Sequence, residues 1–206
     1  MSTLPLIYLA RHGETAWTIT GQHTGLTDLP LTQRGEMNAR NLGGLIGDDS
    51  FARVFCSPLL RTRRTCELAR FGQRAELLDD LVEWNYGEYE GITTAAIRQK
   101  RPDWQIFRDG CPGGEMPADV AARADRVIKL VHSIPGNVLL FSSGHFFRVL
   151  AARWLKLEPI GGELLFLGTA TLSILGYDHN LDEPVLRLWN DNRHVVDCAM
   201  EPERDK

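Results

Sequence analysis

Short apolar runs at residues 6–10, 53–56, 138–142 and 171–175 are separated by longer amphipathic stretches, and this alternation constrains the fold more than any other feature of the chain. Strands buried on both faces read as continuous apolar runs, and parallel neighbours need crossover helices between them. The pattern predicts an α/β fold, a three-layer α/β/α sandwich around a mostly parallel sheet, with the most apolar runs at its centre. Residues 185–189 alternate like a half-buried edge strand. Helices are expected from Leu31-Thr32 to Ile46, from Ser57-Pro58 onward, and across residues 94–101, 117–134 and 145–155. In the 117–134 segment Val120, Ala124, Val127, Val131 and Ile134 recur at threes and fours, a core stripe, whereas Arg123, Asp125, Arg126 and Lys129 take the other side. Residues 103–116, with Gly110, Pro112, Gly113 and Gly114, form the longest expected loop and a candidate lid.

No internal repeat or low-complexity linker divides the 206 residues, so a single domain over residues 1–206 is expected. With 43% hydrophobic residues the chain can bury a core without disulfides or a structural metal. Its 27 acidic against 23 basic side chains give a net charge of −4, which argues against nucleic acid or a membrane surface as partner, since both reward a basic face. Any bound anion must be held by a local cluster. Cys56, Cys66, Cys111 and Cys198 are scattered with no C-x-x-C pair and fit reduced thiols. The apolar start has no basic lead-in and runs directly into Arg11, unlike a signal peptide, so a cytoplasmic location is expected.

Three segments carry chemistry. Arg11-His12-Gly13-Glu14-Thr15 follows the first strand, at the sheet edge where open α/β folds place ligands. A neutral imidazole there can attack phosphorus while a guanidinium forks onto the phosphoryl oxygens. A capped strand end with an exposed Arg-His pair is the alternative. In the second segment, residues 57–65, Ser57 is the expected N-cap and Pro58 the first helical residue. Arginines this early oppose the helix dipole by about 0.3–1 kcal/mol each, so Arg61 is the candidate to meet an anion, with Arg63 and Arg64 on a solvated face. All three on that face is the alternative. Third, Glu83 lies among Trp84, Tyr86 and Tyr89. Apolar packing of this kind raises a carboxyl pKa, as a general acid requires, although a plain ion pair with an arginine would also account for the residue.

At these places the chain resembles the histidine phosphatase superfamily, the phosphoglycerate-mutase-like proteins, whose R-H-G-x-T hallmark stands at Arg11 to Thr15. Residues 21–32, 83–91, 108–111 and 179–184 make it most similar to the sugar-phosphatase and acid-phosphatase branch that includes sedoheptulose bisphosphatase. The resemblance implies a phosphoglycerate-mutase-like fold, His12 as the phosphorylated nucleophile, Arg11 and Arg61 on the phosphoryl group, and Glu83 as proton donor. It places Thr18, His23, Thr24, Gly25, Tyr86, Gly144 and His145 near substrate. One position departs from the family. Where a second active-site histidine precedes a glycine, with an arginine five residues on, this chain has Ser143, ahead of Gly144 and Arg148. His145 follows two residues later and is expected to hold the loop or touch substrate.

The implied function is hydrolysis of a small phosphorylated metabolite, a sugar phosphate, through a phosphohistidine, with no cofactor and no metal, and weakened by Ser143. A phosphoglycerate mutase is the first alternative, although Thr18 replaces the asparagine of the mutases' R-H-G-x-x-x-W-N pattern. A catalytically weak protein that only binds a phospho-ligand is the second. A metal held by His12, His145 and Glu83 is disfavoured because the neighbouring arginines would repel a cation. Of the remaining histidines, His132 is expected at the surface or in a groove, His194 at the surface and His179 in a turn.

Overall fold

The computed structural model describes residues 4–47 and 50–196. Cys198 lies outside them. A six-stranded sheet is built from β1 (Ile7–Arg11), β2 (Arg53–Cys56), β3 (Ala75–Leu77), β4 (Val138–Ser142), β5 (Leu172–Tyr177) and β6 (Pro184–Asp191). Their order is β3-β2-β4-β1-β5-β6, with β5 alone running against the others. The sheet is mixed but mostly parallel, as expected, and the most apolar strand, β4, is central and buried at every residue.

Successive side chains in a strand point to opposite faces, and two cores result. Ile7 and Leu9 of β1 and Val138 and Leu140 of β4 join one core, which Val120, Ala124, Val127 and Val131 of α6 (Pro117–His132) complete. Phe146, Val149 and Leu150 of α7 (Gly144–Trp154) belong to the same core. Ala10, Leu139 and Phe141 face the other way, toward Leu42 and Ile46 of α2 (Gln33–Ile46) and Cys66 of α3 (Leu60–Leu68). Helices thus cover both faces of the sheet. Two short helices precede α2 and α6 on the chain's path around the carboxyl edge, α1 (Ala16–Thr20) and α5 (Ile106–Asp109), with α4 (Thr94–Lys100) between them. Among the described residues no helix is long and apolar enough to cross a membrane.

Four expectations are corrected. The three-residue β3 was not anticipated, because two of its residues are exposed and leave no apolar run. The helix expected to open at Ser57-Pro58 begins at Leu60, with Leu59 in the cap position and no side-chain cap; Ser57 is instead fully buried and donates its N–H to the Phe141 carbonyl. The expected lid at residues 103–116 is packed: Gln105 caps α5, and Trp104, Ile106, Phe107 and Cys111 are buried in the core. Arg123, expected on the polar side of its helix, is buried. Its guanidinium pairs with Glu115, donates to the carbonyls of Asp80, Val82 and Glu83, and lies 4.9 Å from the Phe146 ring. It ties down the backbone that carries Glu83.

Candidate active site

The carboxyl ends of β1 and β4 lie side by side, with Arg11 opposite Ser142. The chain leaves β1 toward α2 on one face and leaves β4 into α7 on the other, which opens a crevice between them. A cavity of about 420 Å³ occupies this place.

Arg11, His12 and Glu83 all line the cavity. The His12 N–H donates to the Ser142 carbonyl at 3.0 Å, and the following Gly13 N–H to Thr65 Oγ1 at 3.0 Å. A Cβ on Gly13 would sit 2.5 Å from the Gly35 carbonyl oxygen, so only glycine lets this loop pass α2. His12 Nδ1 lies 2.8 Å from the Gly13 carbonyl oxygen. A carbonyl can only accept, so Nδ1 carries the proton and Nε2 keeps its lone pair. Burial, with Arg61 and Arg11 adding repulsion, holds the His12 imidazole well below the usual histidine range, so it is neutral at neutral pH. A neutral ring with Nε2 free is the form that attacks an electrophile.

Arg11 donates to the Leu167 carbonyl, and its Nε is buried with no partner among the described residues. A Cβ at Gly144 would come within 3.0 Å of the Arg11 guanidinium carbon, so Gly144 keeps open the space in which this cation lies. Glu83 is not in the purely apolar setting that its neighbours in sequence suggest. Its Oε1 accepts from the N–H groups of Trp84 at 2.9 Å and Phe146 at 2.8 Å, and its Oε2 from that of His145 at 3.0 Å. The first turn of α7 therefore fixes the carboxylate, and Oε2 retains a lone pair for a proton.

Of the expected substrate contacts, Thr18, His23, Thr24, Tyr86, Gly144 and His145 also line the cavity. Thr18 closes a capping box with Thr15 at the start of α1. His23 is packed 4.7 Å from the Tyr86 ring, its Nε2 3.2 Å from Thr94 Oγ1, and burial lowers its pKa to about 4. His145 Nδ1 lies 2.6 Å from the Tyr86 hydroxyl.

Three expected residues do not reach the wall: Gly25, Arg61 and Ser143. The Gly25 N–H is held by the Glu90 carboxylate, and a Cβ there would stand 2.6 Å from the Trp84 carbonyl oxygen. Arg61 is fully buried and donates to the carbonyls of Thr24, Gly25 and Thr27 at 2.7–3.0 Å. Among the described residues its Nε has no partner, and its charge lowers the His12 pKa. Ser143 is fully buried, and its hydroxyl has no partner among the described residues.

Sequence reasoning did not assign Trp17, Gln22, Thr94 or Arg148 to the site, nor the stretch from Phe166 to Thr169, all of which line it. Residues 166–169 follow no motif and arrive only because β5 returns antiparallel beside β1. His132 is exposed, as expected, while His194 is half-buried with Nε2 2.6 Å from the Ala170 carbonyl oxygen. Among the described residues, one group of histidine and acidic side chains has ligand atoms within 4.8 Å of each other. It is Asp178, His179 and Glu183, exposed in the turn between β5 and β6 and absent from the cavity wall.

The chain is 41% identical to an acid phosphatase of Mycobacterium tuberculosis, over 85% of this chain and 88% of the relative. It is 31% identical to the sedoheptulose 1,7-bisphosphatase of Saccharomyces cerevisiae, over 91% and 93%, and 32% identical to a 2,3-bisphosphoglycerate-dependent phosphoglycerate mutase of Gloeobacter violaceus, over 76% and 78%. A solved open-reading-frame product of Mycobacterium tuberculosis superposes with a TM-score of 0.85 at 38% identity, covering 90% of this chain and 97% of that one. The family model of the histidine phosphatase superfamily (branch 1) matches residues 7–192. The chain belongs to the histidine phosphatase superfamily.

Proposed function

We propose that the chain is a phosphomonoesterase that hydrolyses a small phosphorylated metabolite, a sugar phosphate, in two steps through a phosphohistidine at His12. The observation that carries this reading is the fixed tautomer of His12, which leaves a lone pair on Nε2 in a residue that lines the cavity together with Arg11. In the first step Nε2 attacks phosphorus and the ester P–O bond breaks, while Glu83 passes a proton to the departing oxygen. In the second, water attacks phosphorus, Glu83 takes its proton, the P–N bond breaks, and phosphate leaves. Arg11 meets the phosphoryl charge directly, with Arg61 behind it, so the reading calls for no metal. The phosphatase names of the Mycobacterium tuberculosis and Saccharomyces cerevisiae relatives support hydrolysis. The mutase among the relatives is the reason for testing transfer to a second hydroxyl as well. In chelator, phosphate release from sugar phosphates is expected to exceed isomerisation of 3-phosphoglycerate; the reverse order, or release that depends on added metal, would overturn the reading.

In this proposal His145 supplies the donor that the family takes from the position of Ser143. Among the described residues the Tyr86 hydroxyl has no other hydrogen-bond partner, and burial holds its pKa well above the usual phenol value. It donates to His145 Nδ1, which leaves the hydrogen of the neutral ring on Nε2, in a residue that lines the cavity. His145→Ala is expected to lower kcat on the order of a hundredfold, the scale of losing one donor to developing charge. Ser143→Ala should change it severalfold at most. Phosphate-release kinetics read both, and the opposite ranking would return the role to Ser143.

A further inference from the structure

We propose that the buried ion pair of Arg123 with Glu115 positions the proton donor: from behind the cavity wall the two side chains fix the loop on which Glu83 sits, and so set where its carboxylate meets the departing oxygen. The proposal rests on the phosphomonoesterase reading and deepens it by two positioning residues, neither of which lines the cavity.

Residues 83–86 belong to no strand or helix, so their buried backbone groups need partners from elsewhere. Arg123 and Glu115 supply them on both sides of Glu83. On one side Arg123 Nη1 donates to the carbonyls of Asp80 at 2.8 Å and Val82 at 3.0 Å, and Nη2 to that of Glu83 itself at 3.4 Å. On the other, Glu115 Oε2 accepts from the Asn85 N–H at 2.8 Å, and the Glu115 N–H donates to the Asn85 carbonyl at 2.9 Å. The Glu115 carbonyl also accepts from Trp84 Nε1 at 2.9 Å. A fork joins the two side chains, with Arg123 Nε 2.7 Å from Oε1 and Nη2 2.9 Å from Oε2.

The same guanidinium reaches the second support of the carboxylate. It lies 4.9 Å from the ring centre of Phe146, whose N–H donates to Glu83 Oε1 at 2.8 Å. Glu83 is thus held between a loop and the first turn of α7, and Arg123 touches both. A charge-assisted fork of this kind fixes orientation as well as distance. A misplacement of about 1 Å at a reacting group costs on the order of a hundredfold in rate, so slack in this loop should be read in proton transfer.

The test compares kcat/KM of the full chain for phenyl phosphate and p-nitrophenyl phosphate, because phenolate needs the donated proton and p-nitrophenolate hardly does. Arg123→Met is expected to lower kcat/KM on phenyl phosphate about tenfold or more, and on p-nitrophenyl phosphate by no more than about threefold. Arg123→Lys, which keeps the charge but not the fork, should fall between Arg123→Met and the parent. In a Glu83→Gln background Arg123→Met should shift the ratio of the two substrates no further, since it acts through Glu83. Removing the cation alone leaves the Glu115 carboxylate without its counter-ion. Should Arg123→Met not fold, the double substitution Arg123→Met and Glu115→Gln, which removes both charges, carries the same expectation. Equal losses on the two substrates, an unchanged ratio, or a further shift in the Glu83→Gln background would overturn the proposal. Glu83→Gln alone separates the two readings. If it shifts the ratio and the Arg123 variants do not, the positioning role alone falls; if it leaves the ratio unchanged, the proton-donor reading falls and takes the positioning role with it. Release of neither phenol by the unmodified chain would overturn the phosphomonoesterase reading itself.

Discussion

His12→Ala is expected to abolish turnover, lowering kcat by about 10⁴-fold or more, because removing a covalent nucleophile leaves only binding and electrostatic stabilisation behind. The loss should hold at every pH. In the unmodified protein the nucleophile must be neutral to attack, and its pKa is depressed by burial and by two nearby arginines. A depressed pKa means that the neutral form survives acidification. Protonation of His12 should therefore not limit the rate as pH falls through the ordinary histidine range near 6.5, but only well below it. A pH profile of kcat/KM on a phosphomonoester checks both points. An acid limb centred on the ordinary histidine value would indicate that Arg11 and Arg61 do not act on the ring as the structure implies.

Glu83→Gln should produce the second-largest loss, and its signature is dependence on the leaving group. General acid catalysis is worth about 10²–10⁴-fold when the departing oxygen is a poor leaving group. A sugar alkoxide needs that proton, whereas p-nitrophenolate hardly does. The substitution should slow sugar-phosphate hydrolysis far more than release of p-nitrophenol. It will also cost stability, since an amide nitrogen cannot accept from the backbone N–H groups that the two carboxylate oxygens now satisfy. A loss through misfolding would lower both rates together. Equal losses on the two substrates would thus count against the acid role.

Much of this site was legible in the sequence because strand ends carry their own signature. The runs at residues 6–10 and 138–142 are too apolar to be anything but central strands, and the residues that follow them, Arg11-His12 and Gly144-His145, fall at the carboxyl edge by construction. Other features depended on tertiary packing. The charge of Arg61 opposes its helix dipole, and three carbonyls of the 24–27 loop accept from it, but nothing local in the sequence specifies where that loop lies. Arg123 sits on the polar side of its helix by periodicity and is buried because a second layer covers it there. Arg148 appeared only as a landmark of register. Its place in the cavity wall comes from the 3-10 turn Pro159–Leu164, whose carbonyls hold it.

The account stands on His12 as the covalent site, and trapping the phosphoryl-enzyme tests that most directly. Brief mixing of the unmodified protein with a ³²P-labelled phosphomonoester, followed by denaturing quench and peptide mapping, should find label that is acid-labile and base-stable, carried by the peptide with His12 and absent from His12→Ala. Label on a serine, or continued turnover with no labelled residue, would contradict the phosphohistidine mechanism.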